Sequence, residues 1–470
     1  MFEIQETEHH GIAIVATQRL KPGADGLVVF REEALLTVPN RGSERDQSGD
    51  PPAILDKFDP QVWTDWWWYR QQPSSIKKKV LMMYTEMKCK HALWLFAYLA
   101  EKDEAKQKEN IRDEGYDGSI LDHIDEFVQF TMVVRFNSAE LCPPSEDGSG
   151  PGEDYGHGLF ETACKLSHSC KPNCVWHTTL DGKAKEVRVI TPINEGDELT
   201  VDYIGSKLDP IPMRRETLMQ SKGFLCECDR CAKQGDDTRR FKCINYENTK
   251  CPGVHFLHQP LSSDAPSLLA CTCCGEVGTQ TYTDSVLEKE SDLRKEIRRL
   301  DELANEGHIH EVLDVSELIK NLQPPHELHS LAERCYMIQG ELYSQRGDYI
   351  SAAHAYAKQV ECRLAILGDD YYNETTAFCL ERLGDVLKHV NVAEAEEAYK
   401  RSVRTLFMMR GDASDPYSNC ALNKLREVQN QLVVHPSDNL PHEDAVSGLA
   451  PPIPDPVWMG LSLGLCGRVS

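Results

Sequence analysis

Cys226, Cys228 and Cys231 form the run C-x-C-x-x-C in GFLCECDRC, and no other feature constrains this chain as much. A fourth cysteine, Cys170, lies far upstream in LSHSCKPNC. Thiolates at this spacing suit tetrahedral zinc, with Zn–S bonds near ~2.3 Å. A metal site drawn from both segments would pin the run beside the upstream loop. Between them lies EGDELTVDYIG, an acidic turn followed by a β-rich run that carries Tyr203.

The cysteine inventory extends this reading. Twelve of the 18 cysteines fall between Cys142 and Cys274. The acidic amino terminus MFEIQETEHH argues against a secretory signal or mitochondrial presequence. A reducing compartment is expected, where close-spaced thiols favour metal over disulfide. A second zinc site is expected in residues 241–275, from Cys243, Cys251 and the pair Cys271-x-x-Cys274, with adjacent Cys273 leaving the last ligand open. Cys362, Cys379 and Cys420 sit on helical patterns and are expected as small buried apolar residues.

At 470 residues the chain exceeds one ordinary core and favours two or three domains. No apolar run approaches the ~20 residues of a membrane span; the longest candidate is HALWLFAYLA, residues 91–100. The net charge of −24 argues against direct binding to nucleic-acid backbones. It is compatible both with attraction of lysine-rich protein segments and with simple solubility.

Residues 10–39 alternate β-branched and polar positions around Lys21-Pro22-Gly23, as short strands and turns do. Residues 41–52 form a linker. Residues 53–130 turn helical, with 80–106 as the strongest helix. Trp63, Trp66, Trp67 and Trp68 could form a peptide-binding face or pack as core. Residues 143–158 have loop composition, and NCVWHTTL and EVRVITPI resume strand patterns. From about residue 285 the chain is helical and repetitive. Ala355-Tyr356 realigns with Ala398-Tyr399, and Gly368-Asp369 with Gly411-Asp412, an offset of 43 residues that suits tetratricopeptide-like hairpins. Such an array could offer a groove to a protein partner or serve as a cap that only stabilises the core. The Pro-rich tail is expected to be disordered.

These pieces, in this order, resemble a SET-domain protein lysine methyltransferase of SET-and-MYND type. That family's motifs are N-H-S-C-x-P-N, then G-E-E-L-T-x-x-Y, then a post-SET C-x-C-x-x-C; SHSCKPN, GDELTVDY and CECDRC stand in their places. Residues 9–39, RFNSAEL (135–141) and GHGLF (156–160) continue the likeness, which covers about residues 9–435. The helical block holds only Cys89, so the MYND finger, which needs seven or eight Cys and His ligands, is absent.

The resemblance implies an α+β fold. Residues 1–45 and 131–205 are the two parts of a β-rich SET domain, and 46–130 a helical insert. Residues 206–234 are the post-SET zinc segment, 235–282 a zinc-ribbon-like segment, 285–435 an all-α TPR-like domain and 436–470 the tail. It implies transfer of a methyl group from S-adenosylmethionine to a lysine of a histone or non-histone protein, in the nucleus or cytoplasm. Tyr203 is the catalytic candidate. Gly11, Ile12, Ala13, Asn137, Ser167, His168, Tyr203 and Phe224 are the cofactor-binding candidates. One structural zinc falls to Cys170, Cys226, Cys228 and Cys231, and another to Cys243, Cys251, Cys271 and Cys274. Three positions depart from the pattern: Ser167 for Asn, Ala13 for the second Gly of G-x-G, and Lys222 where a channel Tyr is usual. Those departures motivate the alternative, a SET-fold binding module without turnover.

Overall fold

The computed structural model describes residues 1–434 except 8–10, 24–25, 53–54, 56, 86, 110–119, 206–207, 259–264, 306–324 and 369–370. The Pro-rich tail from residue 436 lies outside the described residues. The fold is α+β, with small sheets in the first half and helical hairpins in the second.

Strands β1 (Phe2–Thr7) and β2 (Gly11–Ala16) pair antiparallel, with Phe2 opposite Ala16. The alternating pattern in the sequence begins only at residue 10. The side chains of β1 are largely exposed, so β1 carries little apolar signal and is held by its ladder with β2. β2 instead buries Ala13, Ile14, Val15 and Ala16. Strands β3 (Leu27–Glu33) and β4 (Leu36–Val38) follow.

The insert holds helices α1 (Gln61–Arg70), α2 (Ser74–Leu81), α3 (Lys90–Glu109) and α4 (Ile124–Asn137). Its core is aromatic: Trp66 meets Phe127 edge-on at 5.1 Å, and Tyr69 stacks on Phe130 at 4.3 Å. Trp63 and Trp66 are buried, and Trp67 and Trp68 pack partly buried against the same core. The tryptophan run is therefore core packing, not an open peptide face. The expected helix over 80–106 is broken. Gln129 donates through Nε2 to the Leu81 carbonyl at 2.7 Å, and Asn137 through Nδ2 to the Tyr84 carbonyl at 2.7 Å. Side chains of α4 thus bond the last carbonyl of α2 and one in the segment before α3, a tertiary contact that overrides local propensity.

Strands β5 (Ser138–Glu140) and β6 (His157–Leu159) form a sheet in the order β4-β6-β5. Strands β8 (Cys174–Thr178) and β9 (Ala184–Val189) form a second, in the order β3-β9-β8. Between these sheets in sequence, β7 (Ser167–His168) runs parallel to β10 (Thr200–Val201). Around them, Ile14, Val29, Leu166, Val187, Leu199 and Val201 share one buried core.

Helix α5 (Ile211–Lys222) follows, then the antiparallel sheet β11 (Asp236–Lys242), β12 (Val254–His258), β13 (Ser267–Leu268), which carries a short helix α6 (Tyr246–Thr249). Helix α7 (Gln280–Asn305) leads to α8 (Ser330–Gln345), α9 (Tyr349–Leu367), α10 (Glu374–Leu387), α11 (Val392–Arg410) and α12 (Pro416–Val434). The internal repeat has a packing basis. A Cβ on Gly340 of α8 would stand 2.4 Å from the Tyr356 ring, and one on Gly384 of α10 would stand 2.5 Å from the Tyr399 ring. Each glycine lets the tyrosine of the next helix approach. Tyr356 donates to Glu341 and Tyr399 to Asp385, the residues that follow those glycines. Gly368 and Gly411 end α9 and α11 with φ of 96° and 97°. This array rests on the β-rich core through Ile190, Met408 and Met409, with Gly26 fitted against the Met408 carbonyl.

Gly340→Ala and Gly384→Ala are each expected to destabilise the helical half by about 1–3 kcal/mol, the scale of overpacking a filled site. Thermal unfolding followed by circular dichroism checks this; unchanged melting in both variants would contradict the packing assigned to the repeat.

Candidate functional site

The site begins with Asn173, the last residue of SHSCKPN. Its Nδ2 donates to the Glu198 carbonyl at 2.8 Å, and its Oδ1 accepts from the Thr200 amide at 2.8 Å. One side chain thus fixes the signature loop against the GDELTVDY strand. With β7 and β10 in register, His168 stands opposite Val201. Its Nδ1 accepts the Tyr203 backbone N–H at 3.1 Å. A neutral ring then carries its proton on Nε2, which lies 3.3 Å from Cys170 Sγ. His168 therefore links Tyr203 on one side to a cysteine on the other, where its N–H can orient the sulfur toward a metal ion.

Tyr203 is pinned at both ends. Its hydroxyl donates to the Leu166 carbonyl, one residue before Ser167. Burial pushes its pKa well above the usual tyrosine value, so the phenol stays protonated. Its ring lies 5.2 Å from His168, 6.4 Å from Trp176 and, edge-on, 6.5 Å from Phe224. Ser167 and His168 are both buried.

Helix α5 brings in the remaining wall. Pro210 precedes it, Asp236 accepts the first amide (Ile211) at 2.7 Å, and Gly223 ends it with φ 77°. Its last residue, Lys222, turns inward. Lys222 Nζ donates to the Phe136 carbonyl at 3.2 Å and stands 5.7 Å from the centre of the Tyr203 ring. Burial, aided by Arg135, lowers its pKa to about 8. Asn137, next to Phe136, is buried, and its amide also donates to the Val133 carbonyl at 2.8 Å.

Gly11 takes φ 67°, and nothing lies within 4 Å of a Cβ added there, so this backbone faces open space. Ile12 is 59% exposed and Ala13 fully buried. An antiparallel bridge between Val15 and Glu198 directs Gly11–Ala13 toward the Tyr203 end of its neighbour.

Behind Phe224 the four cysteines meet. The ligand atoms of Cys170, Cys226, Cys228 and Cys231 lie within 4.8 Å of one another, with Cys170 at 4.0 Å from Cys226 and 3.6 Å from Cys231. A tetrahedron of Zn–S bonds has edges of about 3.8 Å, so this set fits a metal ion. Arginines, which sequence reasoning assigned no such role, serve it. Arg214 is buried with Nη2 3.5 Å from Cys231 Sγ, offsetting the negative charge of four thiolates around a divalent ion. Arg215 donates to the Cys226 and Cys231 carbonyls at 3.0 Å each. The spacing of Arg214 and Arg215 ahead of the cysteines was the available signal.

Cys243, Cys251, Cys271 and Cys274 form a second such group. Cys273 and Cys274 are both exposed, and it is the sulfur of Cys274, 3.5 Å from Cys243, that joins the group. His255 braces it, Nδ1–H donating to the Leu269 carbonyl at 2.7 Å and Nε2 accepting the Ile244 amide at 3.2 Å. Among the described residues, these are the two groups of side chains placed to share a metal ion, and both lie outside the insert.

The family model described as SET domain matches residues 11–204. A SET and MYND domain-containing protein of Dictyostelium discoideum is 29% identical over 109 residues, 23% of this chain and 31% of its own length. The histone-lysine N-methyltransferase SMYD3 of Homo sapiens is 32% identical over 128 residues, 27% of this chain and 28% of its own. The N-lysine methyltransferase SMYD2 of Bos taurus is 34% identical over 82 residues, 17% and 18% of the two chains. The chain thus spans less than a third of the length of these relatives. Residues 11–204 are a SET domain. Within that class the chain is similar to SET-and-MYND proteins, a likeness that covers part of each.

Metal analysis of the purified protein is expected to give about two ions per chain, and Cys228→Ser about one. Folded protein holding no metal would contradict the geometry read from both clusters.

Proposed function

We propose that this chain is an S-adenosylmethionine-dependent protein-lysine N-methyltransferase. The observation that carries the reading is the double tether of Tyr203, by its amide to His168 and by its hydroxyl to Leu166, within the SET match. In this reading Gly11, Ile12, Ala13, Asn137, Ser167, His168 and Phe224 hold the cofactor. The open backbone at Gly11 and the ring of Phe224 suit a flat, polar nucleoside. The Asn137 amide group is engaged with two carbonyls, which leaves its Oδ1 to receive an amino group. When bound, S-adenosylmethionine supplies a methyl group made electrophilic by its sulfonium.

The chain's own residues position the amine and exclude water. Tyr203 acts as a protonated phenol. Its O–H is committed to the Leu166 carbonyl, so its oxygen lone pairs are what the reacting amine meets. A phenol whose pKa is raised does not serve as the base at neutral pH. The substrate lysine, whose free pKa is near ~10.4, loses its proton to solvent once desolvated beside a cation. The larger contribution is alignment of amine and methyl group.

Both metal ions are assigned as structural zinc, since four thiolates leave no position open for a catalytic water. Their thiolate ligands fit a reducing compartment, the nucleus or cytoplasm. The substrate class is a lysine on a histone or another protein. The names of the human and bovine relatives and the chain's −24 charge support that class.

Methyl transfer from labelled cofactor to proteins of a whole-cell lysate tests the activity. Tyr203→Phe is expected to lower kcat by about 10- to 1,000-fold, the scale of one positioned polar group, while leaving cofactor affinity nearly unchanged. Equal turnover by wild type and variant would remove Tyr203 from this role.

A further inference from the structure

The geometry points to Lys222 as a substrate lysine within the chain, methylated in cis at the Tyr203 site. This inference rests on the methyltransferase reading above. A methyl acceptor needs an amine beside the catalytic tyrosine, close to the residues assigned to the cofactor, drawn out of water and able to shed its proton. Lys222 meets each requirement by its place at the end of α5.

Its Nζ stands 5.7 Å from the centre of the Tyr203 ring. It is held there by the Phe136 carbonyl at 3.2 Å. Phe136 directly precedes Asn137, and Phe224 follows Lys222 by two residues. The amine is thus tethered beside one residue assigned to the cofactor and joined by a short stretch of chain to another. Gly223 keeps the turn tight, since a Cβ there would already stand 3.3 Å from the Phe136 ring. A single N–H bond to Phe136 leaves the nitrogen lone pair of the neutral amine unused. Burial supplies that neutral form. With its pKa near 8, about a quarter of Lys222 is uncharged at pH 7.5, against about one part in a thousand for a lysine in water.

The step balances. The ammonium form first gives a proton to solvent. The Nζ lone pair then forms a bond to the methyl carbon as the carbon–sulfur bond breaks. Its electron pair stays on sulfur, the sulfonium becomes the neutral thioether of S-adenosylhomocysteine, and the methylated ammonium returns to acid–base equilibrium with water. The same placement means that Lys222 must withdraw before another protein's lysine can take the face of Tyr203.

The test incubates the full-length, metal-loaded chain with S-adenosylmethionine bearing a trideuterated methyl group, then maps peptides by mass spectrometry. The expected result is a trideuteromethyl group on Lys222, or an unlabelled methyl already present there from expression. Its rate per chain should be independent of protein concentration, and it should be lost in Tyr203→Phe. Labelling of core histones or lysate proteins with Lys222 left unmodified would overturn the inference and leave the methyltransferase reading standing. No transfer to any lysine would overturn both. A measurement free of turnover compares S-adenosylmethionine with S-adenosylhomocysteine in calorimetric titrations. Charge on Lys222 opposes the sulfonium, the one charge that S-adenosylhomocysteine lacks, so Lys222→Met is expected to tighten the first about five-fold relative to the second. An equal effect on both ligands would overturn the placement of the amine.

Discussion

The tie between Cys170 and the run Cys226, Cys228 and Cys231 is what the rest of this site depends on. Cys170 belongs to the loop that also carries Ser167 and His168, and the run begins two residues after Phe224. Bringing the four sulfurs together therefore fixes both halves of a site that no single segment could form. His168 extends the tie to Tyr203: one ring nitrogen faces Cys170 Sγ and the other takes the Tyr203 amide. Because such a cluster is assembled only in the folded chain, the free energy of binding an ion there is also free energy of folding. The buried Arg214 belongs to the same balance, since a guanidinium beside four thiolates would be costly without them.

The helical half braces this arrangement from outside. Met408 and Met409 pack on Ile190, just after β9, and Gly26 lets the backbone of the β3 approach touch the Met408 carbonyl. Arg240 of β11 donates to the Ala365 carbonyl of α9 at 2.7 Å, so the second cysteine-bearing sheet is joined to the repeats as well. Gly340 with Tyr356 and Gly384 with Tyr399 set the spacing of successive helices. The repeats thus have a packing function whether or not they also receive a partner.

Much of the fold was legible because its signals are local or chemically specific. The cysteine spacing and the SHSCKPN and GDELTVDY segments identify their class from residue type alone, and the structure groups the two expected sets of four cysteines. The 43-residue repeat was visible as Ala-Tyr and Gly pairs, although the glycines that seat the tyrosines, Gly340 and Gly384, were not singled out. What sequence did not reveal was set by distant partners. β1 owes its strand to pairing rather than to apolar content, and the helix expected over 80–106 is interrupted where Gln129 and Asn137 take the Leu81 and Tyr84 carbonyls. Lys222 was recognised as a departure, but that its amine reaches the Phe136 carbonyl and the Tyr203 ring depends on how α5 packs.

On the function proposed above, the four-thiolate tie assembles the site that receives S-adenosylmethionine. Calorimetric titration of the cofactor into metal-loaded protein, and into the same protein after chelation, tests it most directly. Saturable binding by the loaded chain, lost on removing the metal, is the expected result. No binding by the loaded chain at millimolar cofactor, or equal binding with and without metal, would contradict it.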